Sequence, residues 1–246
     1  NAKAIKVRFL EGFNSREVLD FNLYMSMHDV WVASISMVDS VPTLTVPDTT
    51  CTVPYLYLNP DHQQPFLDLA YSGLNKDGGP EDIARAAEGH FEMIEMGTLV
   101  GEAAANVTHD ASGVPANCLA LTEYWTDYVG AGGTDGKWFA EADAQFDCDP
   151  YPPEGTPPIY TGCTAISDTQ RNSGGIFGGA AVINVENGTM YSYDAQALQG
   201  FDDQEHTASE RGLHFIPGTI FPSLNTGSVK TSWVFFGVPQ NQAVDL

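Results

Sequence analysis

Basic residues are scarce in this chain: ten Lys and Arg stand against 32 Asp and Glu, for a net charge of −22. A field of that sign repels a phosphate backbone and avoids anionic lipid, which excludes nucleic acid as a partner. Long apolar runs are also missing. No stretch approaches the roughly 18 uninterrupted apolar residues of a membrane helix, so no transmembrane segment is expected. Cysteine is sparse, and Cys51, Cys118, Cys148 and Cys163 show no CxxC or Cys/His spacing that suits zinc or haem.

The familiar catalytic patterns are missing as well. HExxH and ExxH do not occur, and the HxE of His90 and Glu92 has no PCxxC to complete a zinc-deaminase set. Asn172-Ser173-Gly174-Gly175 looks like the end of a serine-protease GDSGG, but Asn replaces Asp and no matching histidine segment lies upstream. GxSxG, a P-loop and a strand-to-helix GxGxxG are all lacking. Carboxylates are too numerous for any two to be singled out as a glycosidase pair.

What is present describes a β-rich globular protein. The 246 residues are 43% hydrophobic and 17% charged, enough for a sizeable core in one domain, with Gly and Pro for many turns. The expected fold class is mainly β with α insertions (α+β): an antiparallel, β-sandwich-like core stabilised by disulfides. A helical middle segment is expected at about 64–130 and a Pro-rich loop at about 149–158. The chain begins at Asn1 with no signal-like segment, which fits a mature secreted product. That compartment favours two disulfides. Three connectivities are open, and Cys148–Cys163 is preferred because DPYPPEGTPPIYTG between them is too rich in Pro and Gly to fold alone, leaving Cys51–Cys118 to staple the first strands to the middle.

Period-two alternation places strands over Ala4 to Leu10, with Ile5, Val7 and Phe9 opposite Lys6 and Arg8, and then through Phe21, Leu23, Met25 and Met27. Trp31, Ala33, Ile35 and Met37 continue the pattern, followed by short strands at Thr43 to Val46 and Thr52 to Leu58, with Pro47 and Pro54 marking bends. Between them MHDVW raises a parity problem: an unbroken strand would aim Asp29 inward without a partner. A turn or bulge at His28-Asp29, with Asp29 bonded to nearby amides, is the expectation.

The period then changes. Pro80, Glu81 and Asp82 read as a helix start and Gly97 as its end, with Ile83, Ala87, His90, Phe91 and Ile94 on one face. Asn117 to Tyr128 is a second helix, striped by Leu121, Tyr124, Trp125 and Tyr128. Ala180 to Tyr193 reads as a β-hairpin turning at Asn187-Gly188, and a last strand is placed over Ser232 to Val238.

Metal ligation is the main chemistry left. Candidate oxygen-rich sites are Asp202, Asp203, Glu205 and His206, and Asp77 in Asn75-Lys76-Asp77-Gly78-Gly79, although the latter lacks the DxDxDG alternation and terminal Glu of a calcium loop. Calcium or another divalent cation is the expected ion. Glu88, Glu92 and Glu95 line the proposed helix at i, i+4, i+7, most simply as a solvated face. Two glycosylation sequons, at Asn106 and Asn187, are expected to be unmodified.

The runs VRFLEGFNSREVLDFNLYMSMHDVWVASI and FGGAAVINVENGTMYSYDAQAL resemble a group of uncharacterised secreted proteobacterial cell-surface proteins. The resemblance covers the first 40 residues and the 176–200 segment and brings no catalytic motif. It implies an extracellular or cell-surface location and a longer precursor, with Leu246 as a processing or truncation point. Three function classes follow: a surface structural or adhesive protein, assembling with itself or with other surface components; a secreted metal- or small-ligand-binding protein; and a secreted hydrolase with dispersed residues. Because the cysteines are expected to be paired, alkylation of the denatured, unreduced protein should label none of the four, and labelling after reduction should reach all four. Two labelled thiols before reduction would remove the Cys148–Cys163 bridge.

Overall fold

A computed structural model describes residues 1–125, 138, 168–170, 174–199 and 233–235. The chain divides into two compact units, one of residues 1–173 with 209–221, the other of residues 174–208 with 222–246. In the first unit a five-stranded sheet has the order β5-β2-β1-β7-β8, built from β1 (Lys3–Glu11), β2 (Glu17–Met25), β5 (Cys51–Val53), β7 (Gly89–Leu99) and β8 (Thr169–Gln170). A three-stranded sheet has the order β3-β4-β6, from β3 (Ser34–Val38), β4 (Val41–Thr45) and β6 (Gln63–Pro65). Every pairing is antiparallel. Two short helices, α1 (Gly101–Val107) and α2 (Cys118–Glu123), follow β7. The second unit holds the hairpin of β9 (Gly179–Asn184) and β10 (Thr189–Asp194), and the pair β11 (Ala197–Gln199) with β12 (Trp233–Phe235). The disulfide Cys51–Cys118 is formed, while Cys148, Cys163 and the 149–158 loop lie outside the described residues.

The central strand β1 is buried along its whole length. Its odd residues meet an aromatic cluster: Phe9 lies 6.4 Å from Phe21, 5.8 Å from Phe91 and 5.4 Å from Phe66 beyond β6. Its even residues begin at Ala4 in an apolar core with Tyr24, Cys51, Leu121, Trp125 and Trp138, where the Trp125 indole donates to the Tyr24 hydroxyl over 2.6 Å. The next even residues are charged and lie, as alternation set them, on the face opposite Ile5, Val7 and Phe9. Lys6 is fully buried there and bonded to Asp20 at 2.6 Å, and Arg8, equally inaccessible, joins Glu17 at 3.0 Å and Glu92 at 3.1 Å. Lys3 pairs with Glu95 and also donates to Thr98.

That row of cations corrects the helix expected from Pro80 to Gly97. Only Ile83–Ala87 is helical, as a short 3-10 turn capped by Asp82, and Gly89–Leu99 is the longest strand of the sheet. The spacing of Ile83, Ala87, His90, Phe91 and Ile94 suits a helix locally, but pairing with β1 sets Glu92 opposite Arg8 and brings Glu95 to Lys3. Burial of the cations makes those partners obligatory, and tertiary context overrides period. Gly89 fits the same pairing, since a Cβ there would stand 2.0 Å from the Leu10 carbonyl oxygen. The second helix is shorter than the expected Asn117 to Tyr128: Asn117 caps α2 by accepting from the Ala120 amide at 3.2 Å, and Glu123 ends it.

Beyond β1, Glu11 organises the turn into β2. Its carboxylate accepts from the amides of Phe13, Asn14 and Arg16 and from the Arg85 guanidinium at 2.9 Å. Arg85 lies between the rings of Phe13 and Tyr71, 4.8 and 4.3 Å from their centroids. Burial pushes the Glu11 carboxyl upward, but the bonds from Arg85 and the three amides outweigh it and hold the group at about 2. Glu17 goes the other way: burial, reinforced by the charge of Asp20, raises it to about 7 against the pull of Arg8 and Lys6.

The two glutamates bracket a stability optimum. Glu11, depressed in the fold, contributes stability that is complete above its unfolded value of 4.5 and is lost as pH falls toward 2. Glu17, raised in the fold, contributes stability that is complete below 4.5 and is lost as pH rises through about 7. Thermal melts from pH 2 to 8 should therefore peak at about pH 5. Glu11→Gln should flatten the acid limb and Glu17→Gln the limb above the peak; a wild-type optimum at neutral pH would contradict this assignment.

Candidate functional site

The MHDVW segment is a corner, as expected. His28 takes a left-handed φ of 67°, and the Asp29 carboxylate accepts from the amides of Ser26 at 3.1 Å and Val30 at 2.9 Å. The side chain that parity aimed inward thus terminates β2 and starts the next segment.

Two other loops reach the same corner. From the loop before β5, the Asp48 carboxylate accepts from the amides of Thr50 at 2.9 Å and Val32 at 3.0 Å, and the Thr49 hydroxyl donates to the Gly113 carbonyl at 2.7 Å. From the loop after α1, His109 Nδ1 lies 2.9 Å from Ser26 Oγ and 3.6 Å from Asp29 Oδ2. The Cys51–Cys118 bridge ties together the ends of these two loops, with Cα atoms 5.0 Å apart. Ser26, His109 and Asp29 bring together a nucleophile, a base and a carboxylate. However, serine and carboxylate meet the same ring nitrogen, whereas an acyl-transfer relay needs them on opposite nitrogens. The trio is a hydrogen-bonded clasp.

The clasp aims β3. Trp31 leaves the corner and packs 5.8 Å from Phe21, and β3 then pairs with β4 through a two-residue turn at Asp39-Ser40, both at positive φ (48° and 67°). In such a hairpin the residues flanking the turn, Val38 and Val41, exchange both main-chain bonds, and alternate pairs do likewise. Ser34, Ser36 and Val38 therefore face β4, while the N–H and C=O of Ile35 and Met37 face the open edge. Pro42, opposite Met37, fits this register because the position asks no amide of it toward β3. The side chains of Ile35 and Met37 are 52% and 54% exposed, and Val30 and Val32 before them are also open to solvent.

No protein-family model, no curated protein and no solved structure matches the chain.

The residues singled out for metal binding fall apart in different ways. Asp202, Asp203, Glu205 and His206 lie outside the described residues. Asp77 is engaged by a two-pronged bond from Arg85, at 2.8 and 2.7 Å, and by Asn14 at 2.8 Å, contacts that hold its carboxyl far below the usual range. Glu92 and Glu95 are on a strand and neutralise Arg8 and Lys3, so the helical carboxylate stripe with Glu88 does not exist. Among the described residues no group of three or more His, Cys, Asp or Glu side chains stands close enough to hold a metal ion, and no helix is long and apolar enough to cross a membrane. Of the sequons, Asn106 donates to the Tyr124 hydroxyl at 3.2 Å from within α1. Asn187 sits in a four-residue hairpin loop, 185–188, where Gly188 carries the positive φ in place of the expected Asn-Gly pair.

The clasp was partly legible: His28-Asp29 stood out, but adjacency concealed that Asp29 would meet His109, 80 positions away, since sequence records neighbours along the chain and the disulfide supplies the neighbour in space. Asp29→Ala leaves two amides of the corner without their acceptor and should cost about 1–3 kcal/mol in urea unfolding. Hydrogen exchange should quicken over residues 26–34 while β1 stays protected. Unchanged exchange there would dissociate the clasp from the placement of β3.

Proposed function

We propose that the protein is an extracellular or cell-surface structural or adhesive component that joins a larger surface structure by strand addition. The observation that carries this reading is the outer edge of β3, which pairs with no strand among the described residues. Soluble proteins blunt sheet edges with Lys, Pro, bulges or very short strands. The other edges of the first unit follow that rule: β5 is three residues long and runs into Pro54, β6 ends in Pro65, and β8 has two residues. β3 is five residues of Ser-Ile-Ser-Met-Val, regular in its pairing and held in place by the corner. An edge with those properties is a template for a strand from another chain, which supplies main-chain bonds and packs on Ile35 and Met37.

The hairpin β9–β10 adds support from the second unit. It exposes Val182, Ile183, Val185, Met190 and Tyr191, and a two-strand ribbon gains most of its stability from further strands or a covering surface. We also read the aromatic contacts between the two sheets of the first unit as the interior of an antiparallel sandwich, an arrangement that presents edges outward.

Added to a cell-envelope fraction, the purified protein should sediment with it, and electron microscopy of native material should place it in a high-mass structure. Met37→Lys should abolish cosedimentation while the melting temperature stays within about 2 °C, as for a surface substitution. Wild-type protein that stays in the supernatant, indifferent to the substitution, would overturn the reading.

A further inference from the structure

The geometry points to a covalent tie between the first two strands: Lys6 and Asp20 condense into a side-chain amide, with Glu17 carrying the proton. The tie is independent of the edge of β3 and follows from the register of β1 and β2. Lys6 stands opposite Asn22 and Arg8 opposite Asp20, so the long Lys6 side chain reaches diagonally, and its Nζ lies 2.6 Å from Asp20 Oδ2. The pairing then shifts between Phe9 and Leu10 and sets Glu17 opposite Leu10, which brings its carboxyl to the face of Lys6 and Asp20. Arg8 holds it there at 3.0 Å. The three side chains are 0%, 7% and 12% exposed for Lys6, Asp20 and Glu17, so the group is nearly dry.

In water an ammonium and a carboxylate do not condense, because solvation keeps both charged and the solvent opposes release of another water. Burial reverses both terms. It pushes the Lys6 ammonium below its ordinary value, against the opposing charge of Asp20, and raises the Glu17 carboxyl to about 7. A proton can therefore leave Nζ, and a carboxyl able to relay protons near neutral pH stands on the same face. Direct contact makes the encounter of amine and acid intramolecular and already oriented. The product is uncharged where the pair carried two buried charges, which removes the desolvation cost of holding them.

The step needs no co-reactant. One Nζ proton passes to the Asp20 carboxylate, leaving a neutral amine beside a neutral acid, and the Nζ lone pair forms a bond to Asp20 Cγ. Glu17 takes a second Nζ proton and delivers it to the departing hydroxyl, the Cγ–O bond breaks, and water leaves. Two of the three ammonium hydrogens thus depart with one carboxylate oxygen, the third stays on the amide nitrogen, and Glu17 ends as it began. Until the bond closes, the pair is the salt bridge described above. Once closed, it fastens β1 to β2 in a way that reductant cannot undo, unlike the Cys51–Cys118 bridge.

Mass spectrometry of the native protein, denatured and reduced, tests the tie: the chain should be lighter than its sequence by one water. Chymotrypsin, cutting after Phe9 and Phe13, should release the segments of Lys6 and Asp20 as one branched peptide, and trypsin should no longer cut after Lys6. Lys6→Arg keeps a cation against Asp20 and should restore the full sequence mass. Followed from cell-free synthesis, Glu17→Gln should slow closure at least about a hundredfold with the circular-dichroism spectrum unchanged, while Glu17→Asp, which keeps the carboxyl, should recover part of the rate. A wild-type chain at full sequence mass would overturn the inference even where a variant fails to fold, as would a loss of water that maps to other residues. Loss of ammonia with the branch at Asn22 would overturn the assignment to Asp20 and move the bond to the residue directly opposite Lys6. Closure of Glu17→Gln at the wild-type rate would strip Glu17 of its part.

Discussion

The first unit depends on three cations buried in its central strand. Lys6 and Arg8 alternate with Ile5, Val7 and Phe9, so this stretch of β1 presents apolar side chains to one face and an ammonium and a guanidinium group to the other, while Lys3, of the opposite parity, pairs with Glu95 beyond the register shift at Ala4/Ile5. Leaving such charges unpaired in a low-dielectric interior costs far more than a domain of this size can spare. The neighbouring strands are therefore constrained in composition and register: Asp20 and Glu17 come from β2, Glu92 and Glu95 from β7. A register slip of one residue in β7 would put Glu92 on the opposite face and leave Arg8 against Phe91 or Met93. The ion pairs thus specify topology more than they add net stability, since buried pairs often do no better than hydrophobic residues of the same volume.

This constraint also explains which parts of the fold are readable from sequence. β1, β2, the β3–β4 hairpin and β9–β10 show in the alternation because each has one face against a core or a regular ribbon geometry. Alternation separates Lys6 and Arg8 from Ile5, Val7 and Phe9 but is silent on burial, so it does not tell that both faces of β1 are covered. The strand β7 was misread as a helix for a related reason. Ile83, Phe91 and Ile94 satisfy a helical period over the few turns available, and only the cations of β1, some 85 positions upstream, require the carboxylates to lie along a strand. Information that resides in a distant partner has no local signature.

The corner at Ser26 to Asp29 shows the same limit at the candidate site. Parity indicated a turn because an inward Asp29 needed acceptor work to do, and two backbone amides provide it. The arrival of His109 required knowing that Cys51 pairs with Cys118, and sequence left three connectivities open. With that bridge closed, the chain-entropy model assigns about 4 kcal/mol to restricting a loop of this length, which steadies the loops that hold the corner. Asp48 then reaches Val32 and fixes the direction in which β3 departs.

From cation row to open edge, the links are physical. The central strand draws three of the ten Lys and Arg residues inward, where they pair with carboxylates of β2 and β7, and the chain as a whole keeps a net charge of −22. An exterior of that sign opposes the approach of two copies through β3, the one edge strand longer than three residues among the described strands of the first unit. On the strand-addition reading, that negative charge takes the place of the Lys or Pro that guards an edge strand elsewhere, and it opposes an acidic partner more than a basic one.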